Sequence, residues 1–282
     1  KNRTLRMPWW NKASRGPVGL IAGQGEFPLL FAQAARSVGR DIILFGIQGL
    51  VDPRIEPLAK ESYFVGLGGL GQLVEYIKKS KVRQVVLAGG IPKTEIYNPR
   101  FGMDDTAKGF IHSNGNKGDD HLLRAFEVFL KLKAGVSVAD ACLFLKDALA
   151  PKGVWTKREP SKAEWDDLKF GYKIIRGIGK LDIGQTVVVK HGVVLAVEAI
   201  EGTDAAIRRG GQLGRTETVV VKAAKPDQDL RFDLPCIGME TLGSMKAASA
   251  RVLGVQSGRT IVLDRKKLIE EADRENLSIV GL

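Results

Sequence analysis

Short apolar runs alternate with stretches of helical periodicity in the first half of the chain. The runs predict strands at 17–23, 41–47, 62–68 and 83–90. Helical spacing runs from Pro28 to Val38 and over 70–80, and a further helix is expected over 121–133. Strands separated by helices of this length predict a parallel sheet with right-handed crossovers.

The pattern changes in the second half. A helix is expected over 162–178, followed by two strands within 186–200 that meet at a tight His191-Gly192 turn. A strand over 217–223 comes next. The end of the chain predicts a helix, a strand, a helix and a strand, at 239–252, 260–264, 265–276 and 277–282.

These patterns predict an α/β protein with two domains. We place a parallel-sheet, nucleotide-binding domain at 17–145 and a second α/β domain, with catalytic and lipid-binding roles, at 146–282. The first sixteen residues combine basic side chains with Trp9 and Trp10 and contain no acid. We expect residues 1–16 to form a flexible basic extension, a composition that also suits a lipid headgroup layer.

Composition narrows the classes of partner. The formal net charge of +11 predicts an anionic partner, but no nucleic-acid-binding motif is present, so we expect no nucleic acid. The sequence shows neither a signal peptide nor a membrane-spanning apolar run, which predicts a cytoplasmic protein. The 2 cysteines and 3 histidines lack metal-ligand spacing, so any metal would rest on oxygen ligands, as Mg²⁺ or Mn²⁺ does. A homodimer is expected from base rates alone.

Carboxylates gather around two lysines between residues 198 and 233. The basic members are Lys222 and Lys225, and the acidic members are Glu198, Glu201, Asp204, Asp227, Asp229 and Asp233. The pattern places the acids at strand ends and turns. Hydrolysis of a phosphoanhydride needs such a mixture, since carboxylates hold a divalent cation while positive charge neutralises the developing phosphate charge. The alternative is that charged residues crowd loops in any soluble protein.

Glycine-rich turns follow three of the predicted strands. Gly23 and Gly25 resemble part of a dinucleotide fingerprint, but Pro28 stands where a later glycine belongs. Further turns occur at 66–71, around Gly69, and at 88–91, around Gly89. Because the carboxyl ends of parallel strands share one edge of a sheet, these turns predict a ligand site there, although each turn alone is equally compatible with a role in chain topology.

Several segments resemble the LpxI family of UDP-2,3-diacylglucosamine pyrophosphatases, which act in lipid A biosynthesis in Gram-negative bacteria. They lie at 19–30, 149–156, 181–205, 219–229, 232–238 and 272–282. The resemblance implies a Rossmann-like amino-terminal domain, a carboxy-terminal domain peculiar to the family, and UDP-2,3-diacylglucosamine held between them. It also implies Mg²⁺-dependent hydrolysis to UMP and 2,3-diacylglucosamine 1-phosphate (lipid X).

The resemblance assigns roles residue by residue. The family's nucleotide-side turn matches Gly23, Gln24, Gly25, Glu26, Phe27 and Pro28, and we add Gly69, Gly89, Thr203 and Lys222 as substrate contacts. The family is reported to depend on a carboxy-terminal aspartate, for which Asp233 is the closest match and Asp204 the rival. The expected catalytic residues are Asp233, Asp204, Glu201 and Lys225, and the expected metal ligands are Asp233, Asp204 and Glu198.

A lipid substrate implies contact with a membrane, so we expect peripheral association with the inner membrane. Two other classes remain open. A nicotinamide-dependent oxidoreductase would rest on the glycine turns alone. A non-catalytic nucleotide- or lipid-sensing module would explain the turns and the charge, but it gives no reason for the carboxylates around the lysines.

Overall fold

The computed structural model describes residues 16–91, 102–114, 119–226, 229, 231 and 234–282, with the side chains of 119 and 120 excepted. The expected extension over 1–16 therefore lies, apart from Gly16, outside the described residues. So do Asp227, Gln228 and Asp233. Within the described chain, no helix combines the length and the apolar character needed to cross a membrane.

A parallel sheet forms the amino-terminal domain, as the alternating pattern predicts. Its strands are β1 (Val18–Ala22), β2 (Ile42–Ile47), β3 (Glu61–Val65), β4 (Gln84–Ala88) and β5 (Ser137–Val138). They lie in the order β3-β2-β1-β4-β5, and every pair of neighbours is parallel. The order reverses direction beside β1, between β1 and β4. A crevice at such a reversal is where doubly wound sheets bind ligands.

Helices cover both faces of this sheet. They are α1 (Phe27–Ser37), α2 (Leu70–Ser80), α3 (Asp105–Asn114) and α4 (Asp119–Ala134), with short 3₁₀ helices at Pro53–Leu58 and Lys146–Ala148. Successive side chains of a strand point to opposite faces. Accordingly, Leu20 packs on the α1 side, and Ile21 packs with buried residues of α2 and α4.

A mixed sheet forms the carboxy-terminal domain. Its strands are β6 (Gly153–Val154), β7 (Thr186–Lys190), β8 (Val193–Val197), β9 (Thr218–Lys222), β11 (Ala250–Val255) and β13 (Ser278–Gly281). Their order is β6-β13-β11-β9-β7-β8, and a separate pair joins β10 (Cys236–Ile237) to β12 (Ile261–Val262). The expected α/β class with two domains is confirmed, and so is the hairpin at His191-Gly192.

The helices of this domain are α5 (Lys162–Gly179), α6 (Thr203–Gly214), α7 (Met239–Ala247) and α8 (Arg265–Arg274). A capping box starts α5: Ser161 accepts from the Glu164 amide, and the Glu164 side chain accepts from the Ser161 amide. Helix α5 packs on one face of the sheet. Apolar residues of α6, α7 and α8 pack on the other, with Ile207, Leu242 and Leu268 fully buried there.

Two expectations about this domain are wrong. Asp204 does not lie in a turn after a strand, because Thr203–Gly214 is a helix and Asp204 sits in its first turn. The predicted helix over 239–252 ends at Ala247, and residues 250–255 form the buried strand β11, which pairs with β9 and β13. Alanine-rich sequence continues the helical pattern past this point, but Ser249 adopts a positive φ of 50° that breaks the helix.

Candidate active site

A cleft of about 450 Å³ opens between the two domains. Gln24 and Glu26 line it from the amino-terminal domain, and the remaining lining residues belong to the carboxy-terminal domain. Those residues are Glu201, Gly202, Thr203, Asp204, Ala205, Arg208, Lys222, Cys236, Gly238, Glu240, Thr241 and Leu263. The structure thus brings together four sequence-predicted site residues of the second domain, Glu201, Thr203, Asp204 and Lys222, and two of the first.

Three helix amino termini meet at this cleft. They are the starts of α1 at Glu26, α6 at Gly202 and α7 at Gly238. None of the three capping residues makes a side-chain hydrogen bond to the helix it starts. The first amides of a helix lack intrahelical acceptors and carry partial positive charge, so uncapped starts favour a bound anion.

Lys222 lies at the end of β9 with its ammonium group in the cleft wall. Only 8% of the residue is exposed. Lys222 Nζ donates to Thr203 Oγ1 at 2.8 Å, and Thr203 Oγ1 donates to Glu198 Oε1 at 3.1 Å. No carboxylate of the described residues forms an ion pair with Lys222. A buried ammonium group without a direct ion pair is costly, so an anion bound in the cleft would stabilise it.

Two carboxylate oxygens beside this network lack donors. Glu198 Oε2 and Asp204 Oδ1 are buried, and neither accepts a hydrogen bond from a described protein group. An ionised oxygen in that state fits a bound cation or a proton-donating ligand. The described residues contain no group of three His, Cys, Asp or Glu side chains placed to hold a metal ion. Glu198 and Asp204 alone do not make up such a group, and Asp233, the third expected ligand, lies outside the described residues.

Glu201 also lines the cleft, but its side chain already has partners. Its Oε1 accepts from Arg209 Nη2 at 2.6 Å, and its Oε2 accepts from the Ala199 amide at 3.1 Å. Backbone hydrogen bonding within its own turn, together with the Arg209 guanidinium, holds the pKa of Glu201 below its ordinary value despite opposing burial. The residue is thus an ionised member of the wall whose geometry is fixed by Arg209.

The cleft also contains residues that the sequence pattern did not indicate as site residues. Arg208, one turn into α6, brings a second cation, and its Nη1 donates to Ser244 Oγ at 3.1 Å. Cys236 lies in the wall as well, and burial raises the pKa of its thiol to about 12 even though Lys222 acts in the opposite direction. Recognising residues 203–214 as a helix would have placed Arg208 beside Asp204, because residues four apart share a helix face.

The glycines of the turns at 23–28 and 88–91 allow close contact between the two loops. The Gln24 amide donates to Gly90 O at 2.9 Å, and the Gly90 amide donates to Gln24 O at 3.0 Å. A Cβ on Gly23 would lie 2.4 Å from Gly90 O, and one on Gly89 would lie 2.5 Å from Gln24 O. These glycines therefore let two strand ends join, and this junction carries Gln24 to the cleft.

The remaining predicted residues of the first turn have different surroundings. Gly25 has a φ of +99° and open space where a Cβ would stand. Phe27 packs partly against the core beneath α1, and Pro28 is buried at the first turn of that helix. Neither lines the cleft. Within this turn, Gln24 and Glu26 are the side chains placed to contact a ligand there.

The glycine turn at 66–71 is occupied by a side chain of the protein itself. Asp104 Oδ2 accepts from the Gly71 amide at 2.7 Å, and its Oδ1 accepts from the Ala107 amide at 2.7 Å. Asp104 thus occupies the amino terminus of α2, where the sequence predicts a substrate contact at Gly69. Gly69 is not among the cleft-lining residues, and its predicted role has no support from these contacts.

Lys225 lies elsewhere than the sequence predicts. It is buried, its ammonium group pairs with Asp182, and it does not line the cleft. Asp229 also has a partner outside the cleft, because Arg231 forms a bidentate pair with it and holds the pKa of that carboxyl below its ordinary value. The acidic cluster of the sequence therefore divides, and Glu198, Glu201 and Asp204 remain near Lys222.

Comparison with known proteins places both domains in one family. The description "LpxI N-terminal domain" matches residues 17–148, and "LpxI C-terminal domain" matches residues 151–280. A relative from Caulobacter vibrioides, UDP-2,3-diacylglucosamine pyrophosphatase LpxI, is 33% identical over 94% of this chain and 97% of that protein.

Solved structures resemble the chain only distantly. A nucleoside-diphosphate-sugar epimerase of Pseudomonas aeruginosa gives a TM-score of 0.30 at 10% identity, covering 93% of this chain and 85% of that one. The biotin carboxylase domain of a thermophilic 2-oxoglutarate carboxylase gives 0.24 at 11% identity, over 61% and 34%. Both scores are too low to support a conclusion about fold or function.

Proposed function

Because the chain belongs to the LpxI family, we propose that it is a UDP-2,3-diacylglucosamine pyrophosphatase in lipid A biosynthesis. It hydrolyses the diphosphate of that substrate to UMP and 2,3-diacylglucosamine 1-phosphate. The match of both domain descriptions supports the proposal, and so does the printed name of the Caulobacter relative.

The observation that carries the proposal is the ammonium group of Lys222. It is buried in the cleft wall without a carboxylate partner among the described residues, where three uncapped helix starts meet. A diphosphate bound there forms a direct ion pair with this ammonium group and accepts hydrogen bonds from the free amides. Arg208 provides a second cation on the same wall.

The position of the cleft suits a substrate with two different halves. The amino-terminal domain presents Gln24 and Glu26, an amide and a carboxylate that can bind ribose hydroxyls and the polar edge of uracil. The carboxy-terminal domain presents the cations and the uncapped starts of α6 and α7. We therefore propose that the nucleoside lies against the first domain and the diphosphate against the second.

The described carboxylates fit the Mg²⁺ that the family resemblance implies. Glu198 and Asp204 would hold it through the buried oxygens that lack protein donors, and Asp233 is the third candidate ligand. When bound, Mg²⁺ neutralises charge on the diphosphate oxygens. Since carboxylate oxygens are the ligands Mg²⁺ prefers, the donor chemistry of the site agrees with this ion.

The protein groups supply the rest of the chemistry. Lys222 Nζ and the free amides at the start of α6 bind the phosphate oxygens and stabilise the charge that develops as the bridging bond breaks. Water attacks phosphorus as the bridging P–O bond breaks, and its proton would pass to whichever of Glu198 Oε2 and Asp204 Oδ1 is not bound to the metal ion. Thr203 fixes the distance between Lys222 and Glu198 by bonding to both.

We also propose that the protein meets the cytoplasmic surface of the inner membrane, because its substrate is a lipid and its net charge is +11. Sedimentation with vesicles that contain anionic lipid should carry the protein down at low salt and release it at high salt. Vesicles of neutral lipid are the control. Equal binding to both kinds of vesicle, or no binding at either salt concentration, contradicts membrane contact.

The test of the proposed function is release of UMP from UDP-2,3-diacylglucosamine in the presence of Mg²⁺, with and without a chelator. We expect turnover that the chelator abolishes and added Mg²⁺ restores. A parallel thermal-shift titration with UDP and NAD separates a pyrophosphatase from an oxidoreductase, because each class predicts stabilisation by one ligand. Binding of UDP without any release of UMP would favour the sensing module.

A further inference from the structure

A segment of the carboxy-terminal domain reaches across to the amino-terminal domain. We name residues 223–236, which run from the end of β9 to the first residue of β10, the interdomain strap; 227, 228, 230, 232 and 233 lie outside its described part. Leu234 packs against the apolar core beneath α1, and the Ala141 amide donates to Arg231 O at 3.2 Å. The strap thus contacts the first domain through both its backbone and a side chain.

An ion-pair network holds the middle of the strap to α4. Arg231 Nη1 and Nη2 donate to Glu127 Oε1 and Oε2 at 2.8 and 3.0 Å. The same guanidinium donates to both oxygens of Asp229, from Nη2 to Oδ2 at 2.7 Å and from Nε to Oδ1 at 3.0 Å. Arg124, one turn before Glu127 on α4, adds a positive charge near Asp229. Bidentate pairs of this kind fix geometry as well as contributing energy.

Cleft-lining residues stand at both ends of the strap. Lys222 directly precedes it, and Cys236 is its last residue. The helix that follows, α7, starts in the cleft wall at Gly238. The contact between Arg231 and Glu127 therefore ties the anion-binding wall of one domain to α4 of the other.

We infer that Arg231 and Glu127 are positioning residues that hold the two walls of the cleft at the separation that the substrate bridges, an inference that rests on the proposed function. Neither residue lines the cleft, so neither touches the substrate there. Losing the pair reduces the fraction of molecules whose walls are correctly placed before binding. The apparent affinity falls by that fraction, while the bound complex reacts as before.

The test compares Glu127→Gln with the wild-type protein, using UDP-2,3-diacylglucosamine as substrate. We expect KM to rise about fivefold, the scale of a partly exposed ion pair, with kcat within twofold. Arg231→Lys keeps the charge but loses the bidentate geometry, so its KM should fall between those of the wild type and Arg231→Gln. Glu271→Gln is the matched control, because it removes a Lys246 pair within one domain, and we expect its KM and kcat to stay within twofold.

A measurement without substrate separates this inference from the proposed function. Hydrogen exchange of the Ala141 amide reports the strap directly, because that amide donates to Arg231 O. In Glu127→Gln we expect this amide to exchange about fivefold faster, with the wild-type rate in Glu271→Gln. Unchanged exchange, or an unchanged KM in Glu127→Gln, overturns the inference. A wild-type protein that shows no turnover overturns the proposed function instead.

Discussion

Lys222 Nζ donates to Thr203 Oγ1 at 2.8 Å, and this contact joins the end of a central strand to the first turn of α6. Thr203 in turn donates to Glu198 Oε1, at the end of β8. A cation from β9, the free amides at the start of α6 and a carboxylate at the end of β8 thus lie close together. A diphosphate and its counter-ion require this combination.

Replacing Asp204 by Asn removes a charge while keeping the shape of the side chain. We expect kcat to fall by ~10²–10³, the usual loss of one electrostatic contact to the transition state. The melting temperature should hold or rise, since Asp204 Oδ1 has no protein donor among the described residues. UMP release and thermal unfolding measure the two effects.

Asp233→Asn tests the assignment made from the family resemblance. We expect a loss of turnover of similar size, with UDP still raising the melting temperature, because the substitution spares the nucleotide side of the cleft. If Asp204→Asn and Asp233→Asn both retained near wild-type turnover, the assignment of the acidic wall would be wrong.

The thiol of Cys236 should resist alkylation although it lines the cleft. Burial raises its pKa to about 12, so the reactive thiolate is scarce until the pH approaches that value. At pH 8 we expect iodoacetamide to leave the folded protein unmodified for hours and to label it rapidly in denaturant. Mass spectrometry of both samples is the measurement. Fast labelling of the folded protein at pH 8 would contradict this prediction, because it would show that the Cys236 thiol is accessible or that its pKa is not strongly raised.

Most of the fold could be predicted from the sequence, because its buried strands are short apolar runs between glycine turns. Helix α6 could not be predicted from the sequence, because tertiary packing accounts for the two glycines that it contains. Its glycine pair, Gly210 and Gly211, looks like a turn, yet a Cβ on Gly211 would lie 2.4 Å from Ala248 Cβ, and one on Gly210 would lie 2.6 Å from Val188 Cβ. Close packing overrides the low helix propensity of glycine here. Such contacts become visible only when the tertiary structure is known.

The sequence indicated which types of side chain form the site, but it did not indicate which of them lie together in space. The sequence identified carboxylates and lysines near each other along the chain, and the structure separates them. Lys222 reaches the cleft, while Lys225, three residues later, pairs with Asp182. The glycine turn before α2 is filled by Asp104, which comes from a distant part of the sequence. Long-range partners of this kind leave no local signal in a sequence.

Gly211→Ala tests the packing account of α6. The added methyl group would meet the Ala248 Cβ and O atoms at 2.4 and 2.5 Å, so we expect a loss of about 1–3 kcal/mol in the free energy of unfolding. Gly243→Ala is the control, because that helical glycine has open space around it and should gain up to about 1 kcal/mol. Urea denaturation measures both. A loss in Gly243→Ala equal to that in Gly211→Ala would contradict the account.

The most direct test of the central claim compares Lys222→Met with Lys225→Met in a single assay of UMP release and thermal unfolding. We predict that Lys222→Met keeps its melting temperature and loses ~10²–10³ in turnover, because its charge serves the bound diphosphate. Lys225→Met should unfold at a lower temperature, since it removes the ion pair that the buried Lys225 forms with Asp182. Wild-type turnover in Lys222→Met would contradict the claim that the diphosphate is bound and cleaved at this cleft.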